Sequence, residues 1–237
     1  MTEEGKPRLE MENRKIDGPL SSSKFSLLTT PTADREMTLA STYLTAYNAL
    51  SLGLWAHLTI RTLSLAPSLY TEGRLHDLYH ELLSPFVTGI QSLAILEVVH
   101  AATGLVRSSP LTTALQVIGK NLVVWTVMVP FPEQIVGLDG RGTFGAWGFL
   151  GCLVFWGLSE VVKYGYFTAL LVSGLTPAWL KWLRYSAFIV LYPPGFLSEA
   201  VLVYRALVNA DVNLPYRVYL FLGFLSYIPG KNLSLIV

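Results

Sequence analysis

The chain has 237 residues, 52% of them hydrophobic and only 14% charged, with a mean hydropathy of +0.47. That balance excludes an ordinary soluble domain and belongs to the polytopic membrane class. A formal net charge of +1 gives nucleic acid no basic surface to bind, and the single Cys152 excludes an internal disulfide, leaving that thiol to pack as a small hydrophobe.

Residues 1–37 are mostly polar, carry mixed charge and lack the short apolar core of a cleaved signal peptide. They read as a disordered cytosolic tail, with the first hydrophobic helix acting as an uncleaved signal anchor. Six apolar segments follow, over 38–65, 83–106, 111–131, 144–166 (with room to extend through Leu171), 179–203 and 215–228, the last being the shortest. They predict an all-α protein, a six-helix transmembrane bundle spanning 38–237. The basic residues Lys6, Arg8, Arg14, Lys15, Lys24, Arg35, Arg107, Lys181, Arg184 and Lys231 fall on one side of that topology, and only Arg74, Arg141, Arg205 and Arg217 on the other. The asymmetry predicts both termini in the cytosol. Asn232-Leu233-Ser234 is a glycosylation acceptor sequence, and with a cytosolic C-terminus it stays unmodified.

The first segment holds Tyr43, Tyr47, Asn48, His57 and Arg61. Asn48 reads as a helix-packing residue, and Arg61 is near enough to the segment end to snorkel to the interface. His76 and His80 stand at i,i+4, a spacing that can share a metal on one helical face. Asp77 occupies the place where a zinc protease has Glu, so a solvated or interfacial helix is the stronger reading. Glu97 and His100 lie three apart in the second segment, and Gly104 to Thr113 forms a polar turn into the third. There Gln116 and Lys120 share a face at i,i+4. A lysine buried without a partner is expensive, so a carboxylate or an anionic ligand belongs near Lys120. The fourth segment adds Ser159, Glu160, Lys163 and Tyr164, with Glu160 and Lys163 placed for an i,i+3 pair. Any one of these residues is explained by helix packing. Together, Glu97, Lys120, Glu160, Lys163, Arg184 and Glu199 form an ionisable set too costly for a passive anchor, and some of them line a pocket.

The fifth segment contains Leu191-Tyr192-Pro193-Pro194-Gly195-Phe196-Leu197-Ser198-Glu199. The prolines supply no N–H, so the carbonyls of Ile189 and Val190 lose their helical partners. Tyr192, preceding proline, is biased away from helical angles. Gly195 permits close approach of backbone or ligand. On a straight helix Tyr192 and Glu199 would lie about 10 Å apart along the axis and within roughly 20° of one face, leaving room for a small reacting group between them. Two readings stay open at this point: a polar break lining a cavity, or a plain turn between two short helices.

Trp182-Leu183-Arg184-Tyr185, then Leu191-Tyr192-Pro193, Gly195 and Ser198-Glu199, resembles the signature of the very-long-chain 3-hydroxyacyl-CoA dehydratases, formerly called protein tyrosine phosphatase-like membrane proteins. The likeness extends upstream through Gly104 to Thr113, Gln116, and Trp156 with Ser159 to Tyr164. The resemblance implies that Tyr192 and Glu199 are the catalytic pair, and that Arg184 and Gly195 support the site. Lys120 stands where the family usually has arginine, keeping the charge without the bidentate fork. Gln116, Glu97, Glu160, Lys163 and Tyr164 are the further candidate substrate-binding or supporting residues. The implied activity is removal of water from a (3R)-3-hydroxyacyl-CoA to give a trans-2-enoyl-CoA, without a cofactor or metal, in the endoplasmic-reticulum membrane. An acyl-chain pocket inside the bundle, and the condensing enzyme and reductases of fatty-acid elongation as partners, come with the same resemblance. Dehydration needs a base at C2 and an acid at the C3 hydroxyl, and the sequence does not decide which residue is which. A tyrosine phosphatase is disfavoured because Cys152 is followed by Leu-Val-Phe-Trp-Gly rather than a phosphate-cradling loop. A transporter would carry paired interrupted helices in two halves, and no such pair is present. A non-catalytic scaffold is the alternative, opposed by the presence of both Tyr192 and Glu199.

Overall fold

The computed structural model describes residues 38–136 and 144–227. The tail over 1–37, Arg141 and the acceptor at Asn232 lie outside the described residues. The elements in chain order are α1 (Leu39–Thr71), α2 (Asp77–Leu82), a π-helical turn (Leu83–Val87), α3 (Thr88–Leu93), α4 (Ile95–Ala102), α5 (Pro110–Val123), a second π-helical turn (Val124–Met128), α6 (Pro132–Val136), α7 (Phe144–Ser173), α8 (Ala178–Asn209) and α9 (Leu214–Ser226). Among the described residues there is no strand.

The helix ends follow local chemistry. Thr38 Oγ1 accepts from the Ser41 N–H at 3.2 Å and starts α1, and Asn213 Oδ1 accepts from the Tyr216 N–H at 3.1 Å and starts α9. Pro110 opens α5 directly after the Ser109 cap, where its missing N–H costs nothing. Gly104 and Gly174 take φ of 71° and 69° just beyond α4 and α7, a conformation that glycine reaches without strain.

Among the described residues, three stretches are long and apolar enough to cross a membrane: Pro110–Met128, Phe144–Ser173 and Ala178–Asn209. At 30 and 32 residues, α7 and α8 are about 45–48 Å long, more than a hydrocarbon core requires. The second apolar segment is not one rod. It is divided among the turn at Leu83–Val87, α3 and α4.

α7 is the central post, packed chiefly on α8 and α1. Its glycines let the neighbours in. A Cβ at Gly157 would run into the Thr59 side chain of α1, and one at Gly151 into Ser198 of α8. Both hydroxyls are satisfied within their own helices, Thr59 by Trp55 O at 2.7 Å and Ser198 by Pro194 O at 2.7 Å. They therefore enter the interfaces without an orphaned donor, as small-residue helix contacts in lipid require. Trp55, Leu58, Met128, Phe149, Leu153 and Leu202 fill the core around this post.

The turn reading of Tyr192 to Gly195 is overturned. α8 runs unbroken from Ala178 to Asn209 with Pro193 and Pro194 inside it, and Tyr192 is helical. Proline in a membrane-spanning helix is tolerated where surrounding groups take up the freed backbone, and packing of α8 along α7 prevails over the local bias.

Candidate active site

Two connected constellations occupy the space between α4, α5, α7, α8 and α9. The first is a ladder of charges. Lys120 Nζ of α5 lies 2.6 Å from Glu160 Oε1 of α7. Glu160 Oε2 lies 2.5 Å from Lys163 Nζ one turn further on, and Lys163 reaches Glu97 Oε1 of α4 at 2.8 Å. The Tyr164 hydroxyl donates to the same Glu97 oxygen. Two carboxylates and two ammonium groups thus neutralise one another across three helices. Each needs the others, because an uncompensated charge at this depth is strongly unfavourable. The carboxylate predicted beside Lys120 is Glu160, and the predicted Glu160–Lys163 pair forms. His100 leaves the ladder and meets α1 instead, with Nε2 2.8 Å from the Tyr43 hydroxyl and its ring edge-on to Tyr47.

The second constellation surrounds Glu199. Trp156 Nε1 of α7 donates to Glu199 Oε1 at 2.6 Å, and the Tyr227 hydroxyl, just past α9, donates to Oε2 at 2.9 Å. Trp156 also joins the two groups, since Lys120 Nζ sits 5.5 Å from the centre of its ring. A carboxylate whose two oxygens each accept a bond from a fixed donor is held in a set plane as the anion, and each oxygen retains a lone pair for a ligand.

Tyr192 stands seven residues before Glu199 on the same continuous helix. Its ring stacks on Phe196 at 5.6 Å with planes 22° apart, and 56% of the residue is exposed. The phenol is largely exposed, whereas the Glu199 carboxylate is engaged by Trp156 and Tyr227 inside the bundle. Gly195 is buried where a Cβ would come within 3.3 Å of Phe155 Cβ, so its smallness serves the α7–α8 contact. Arg184 lies over the Phe167 ring at 5.7 Å, more than two turns from Tyr192. Gln116, one turn before Lys120 on α5, is exposed.

An apolar cavity of about 150 Å³ lies between α5, the second π-helical turn, α8 and α9. Gly119, Leu122, Val127, Val203, Leu220 and Tyr227 are among the residues that line it. The side chains around Asp77 are engaged with each other, Asp77 lying 2.6 Å from Arg74 Nη2 and 3.2 Å from His76 Nε2.

Sequence reasoning missed two residues of the Glu199 constellation. Trp156 was visible only as part of the resemblance, and Tyr227 lay at the end of the weakest segment with no local signal.

Residues 91–232 match the family model described as protein tyrosine phosphatase-like protein, PTPLA. A Schizosaccharomyces pombe protein named "Probable very-long-chain (3R)-3-hydroxyacyl-CoA dehydratase" is 36% identical over 71% of this chain and 75% of its own. The Caenorhabditis elegans very-long-chain (3R)-3-hydroxyacyl-CoA dehydratase is 34% identical over 80% of this chain and 87% of its own. The Homo sapiens very-long-chain (3R)-3-hydroxyacyl-CoA dehydratase 2 is 30% identical over 81% and 75%. No solved structure matches the chain.

Proposed function

Because the chain belongs to the protein tyrosine phosphatase-like (PTPLA) family, we propose that it is a hydro-lyase that dehydrates very-long-chain (3R)-3-hydroxyacyl-CoA to trans-2-enoyl-CoA. The observation that carries this reading is the pairing of similarity to named dehydratases with one uninterrupted helix bearing both Tyr192 and Glu199.

In this reading Glu199, held by Trp156 and Tyr227, accepts the proton from C2. The electron pair of that C–H bond forms the C2–C3 double bond, and the C3–O bond breaks. Tyr192 donates its phenolic proton to the departing hydroxyl, which leaves as water, and the proton on Glu199 then returns to the Tyr192 phenolate. One group takes a proton while the other gives one, so no external oxidant or reductant is required. The ladder of Glu97, Lys163, Glu160 and Lys120, with Tyr164, supports Trp156 from below rather than touching the reacting atoms.

The acyl chain occupies the apolar cavity that Tyr227 helps to line, and the anionic CoA headgroup lies toward the N-terminal end of α8 near Lys181 and Arg184, with Gly195 keeping α8 close to α7. The chain completes six spans over 38–237 behind a cytosolic tail at 1–37, with both termini in the cytosol. It resides in the endoplasmic-reticulum membrane beside the condensing enzyme and reductases that make and consume its substrate and product.

The test is direct. Purified protein in detergent or lipid, given (3R)-3-hydroxyacyl-CoA of increasing chain length, forms the conjugated enoyl product with a preference for long chains. A preparation that is folded and forms none contradicts the reading. A glycan on Asn232 of protein expressed in microsomes would contradict the six-span topology.

A further inference from the structure

The last helix reaches further into the site than its length suggests. α9 has only 13 residues, yet its C-terminal cap residue, Tyr227, meets Glu199 directly and Tyr192 through one intervening ring. The hydroxyl donates to Glu199 Oε2 at 2.9 Å. The ring rests on Phe196 with centroids 4.7 Å apart, and Phe196 in turn stacks on Tyr192. One side chain therefore touches the carboxylate directly and the phenol through a single intervening ring.

A glutamate held at one oxygen still rotates about its terminal torsion, which is broad. Trp156 fixes Oε1 from α7, and a second donor on Oε2 from a different element fixes the plane of the carboxylate. Of the other polar groups facing Glu199, Lys120 of α5 is engaged by Glu160, and Cys152 of α7 is buried and forms no disulfide. Tyr192 on the same helix is one ring removed. Among the described residues, the second oxygen thus has one donor, and it is Tyr227. The same residue is one of those that line the apolar cavity between α5, α8 and α9.

We propose that Tyr227 is a positioning residue for the dehydration, orienting the Glu199 carboxylate through its hydroxyl and the Tyr192 phenol through Phe196. This rests on the dehydratase reading above. Sub-ångström placement of reacting groups governs the chemical step far more than substrate affinity, so the effect falls on kcat.

The experiment compares steady-state enoyl-CoA formation by wild type, Tyr227→Phe, Phe196→Leu and Tyr216→Phe. Tyr216 is a comparator on the same helix, remote from Glu199, whose hydroxyl donates to Thr126 O at 2.7 Å. Tyr227→Phe keeps the ring contact and loses only the bond, and kcat falls about tenfold or more with KM within about twofold, as expected for losing a bond to a charged group. Phe196→Leu lowers kcat through the Tyr192 side. Tyr216→Phe retains wild-type kcat. Wild-type kcat in Tyr227→Phe, a loss confined to KM, or equal losses in Tyr227→Phe and Tyr216→Phe would overturn the proposal, the last by showing that α9 merely docks. An inactive wild type would overturn the dehydratase reading, a result distinct from any of these.

Discussion

Trp156 and Glu199 are 43 residues apart on different helices, yet the indole N–H meets the carboxylate at 2.6 Å. The contact depends on how closely α7 and α8 run, which Gly151 permits by leaving room for Ser198. An indole donor is one of few groups that can hold a carboxylate at this depth without introducing a charge of its own.

Replacing Trp156 by Phe keeps an aromatic ring near Lys120 and removes the bond to Glu199 Oε1. kcat for dehydration falls about tenfold to a hundredfold, the range for losing a hydrogen bond to a charged group, while KM changes little. Steady-state kinetics across substrate concentration separates the two. An unchanged kcat would show that Glu199 does not depend on this donor.

The charge ladder makes a different prediction, on stability. Glu160→Gln strips the carboxylate shared by Lys120 and Lys163, whose side chains are only 24% and 20% exposed. Breaking a buried pair from one side costs about 3–5 kcal/mol. Lys120→Met added to Glu160→Gln costs less than the sum of the single changes, because it removes a charge already left unpaired. Thermal or denaturant unfolding in one fixed detergent measures both. Additive losses would mean that Lys120 and Glu160 do not act as a pair.

Gly157→Val places branched carbons where Thr59 already lies. α1 must move away from α7, at about 1–3 kcal/mol for overpacking. Gly53→Ala, where an added Cβ meets nothing within 4 Å, provides the matched change without that effect. The midpoint of thermal unfolding falls for the first variant and not for the second.

Chain length is set, in this account, by the cavity beside Tyr227. A Cβ at Gly119 would meet no protein atom within 4 Å, although the residue lines the cavity. Gly119→Leu therefore projects side-chain volume toward this space from a position open at Cβ, and shifts the preferred substrate to shorter acyl chains. Competition between long and short 3-hydroxyacyl-CoA substrates reads this directly, and an unaltered preference would remove the acyl chain from this cavity.

Much of this arrangement was legible in the sequence, and the failures have physical causes. Lys120 demanded a nearby carboxylate because charge burial is expensive, and Glu160 answers it. Gln116 was grouped with Lys120 by i,i+4 spacing, but one helical face is wider than the stripe that packs, and Gln116 falls on the exposed side. Tyr-Pro-Pro-Gly gave a true local bias that packing along α7 overrides. Tyr227 could not be read at all, because its partner lies 28 residues away on another helix and no pattern along the chain records that meeting.

The central claim is that Tyr192 and Glu199 divide one proton exchange across the C2–C3 bond. The most direct measurement is single-turnover formation of enoyl-CoA from (3R)-3-hydroxyacyl-CoA by Tyr192→Phe and Glu199→Gln, each close to its parent in shape. The account predicts that each variant binds substrate and that each loses at least about a hundredfold in the chemical step, as removal of an acid or base entails. Wild-type single-turnover rates in both variants would contradict it.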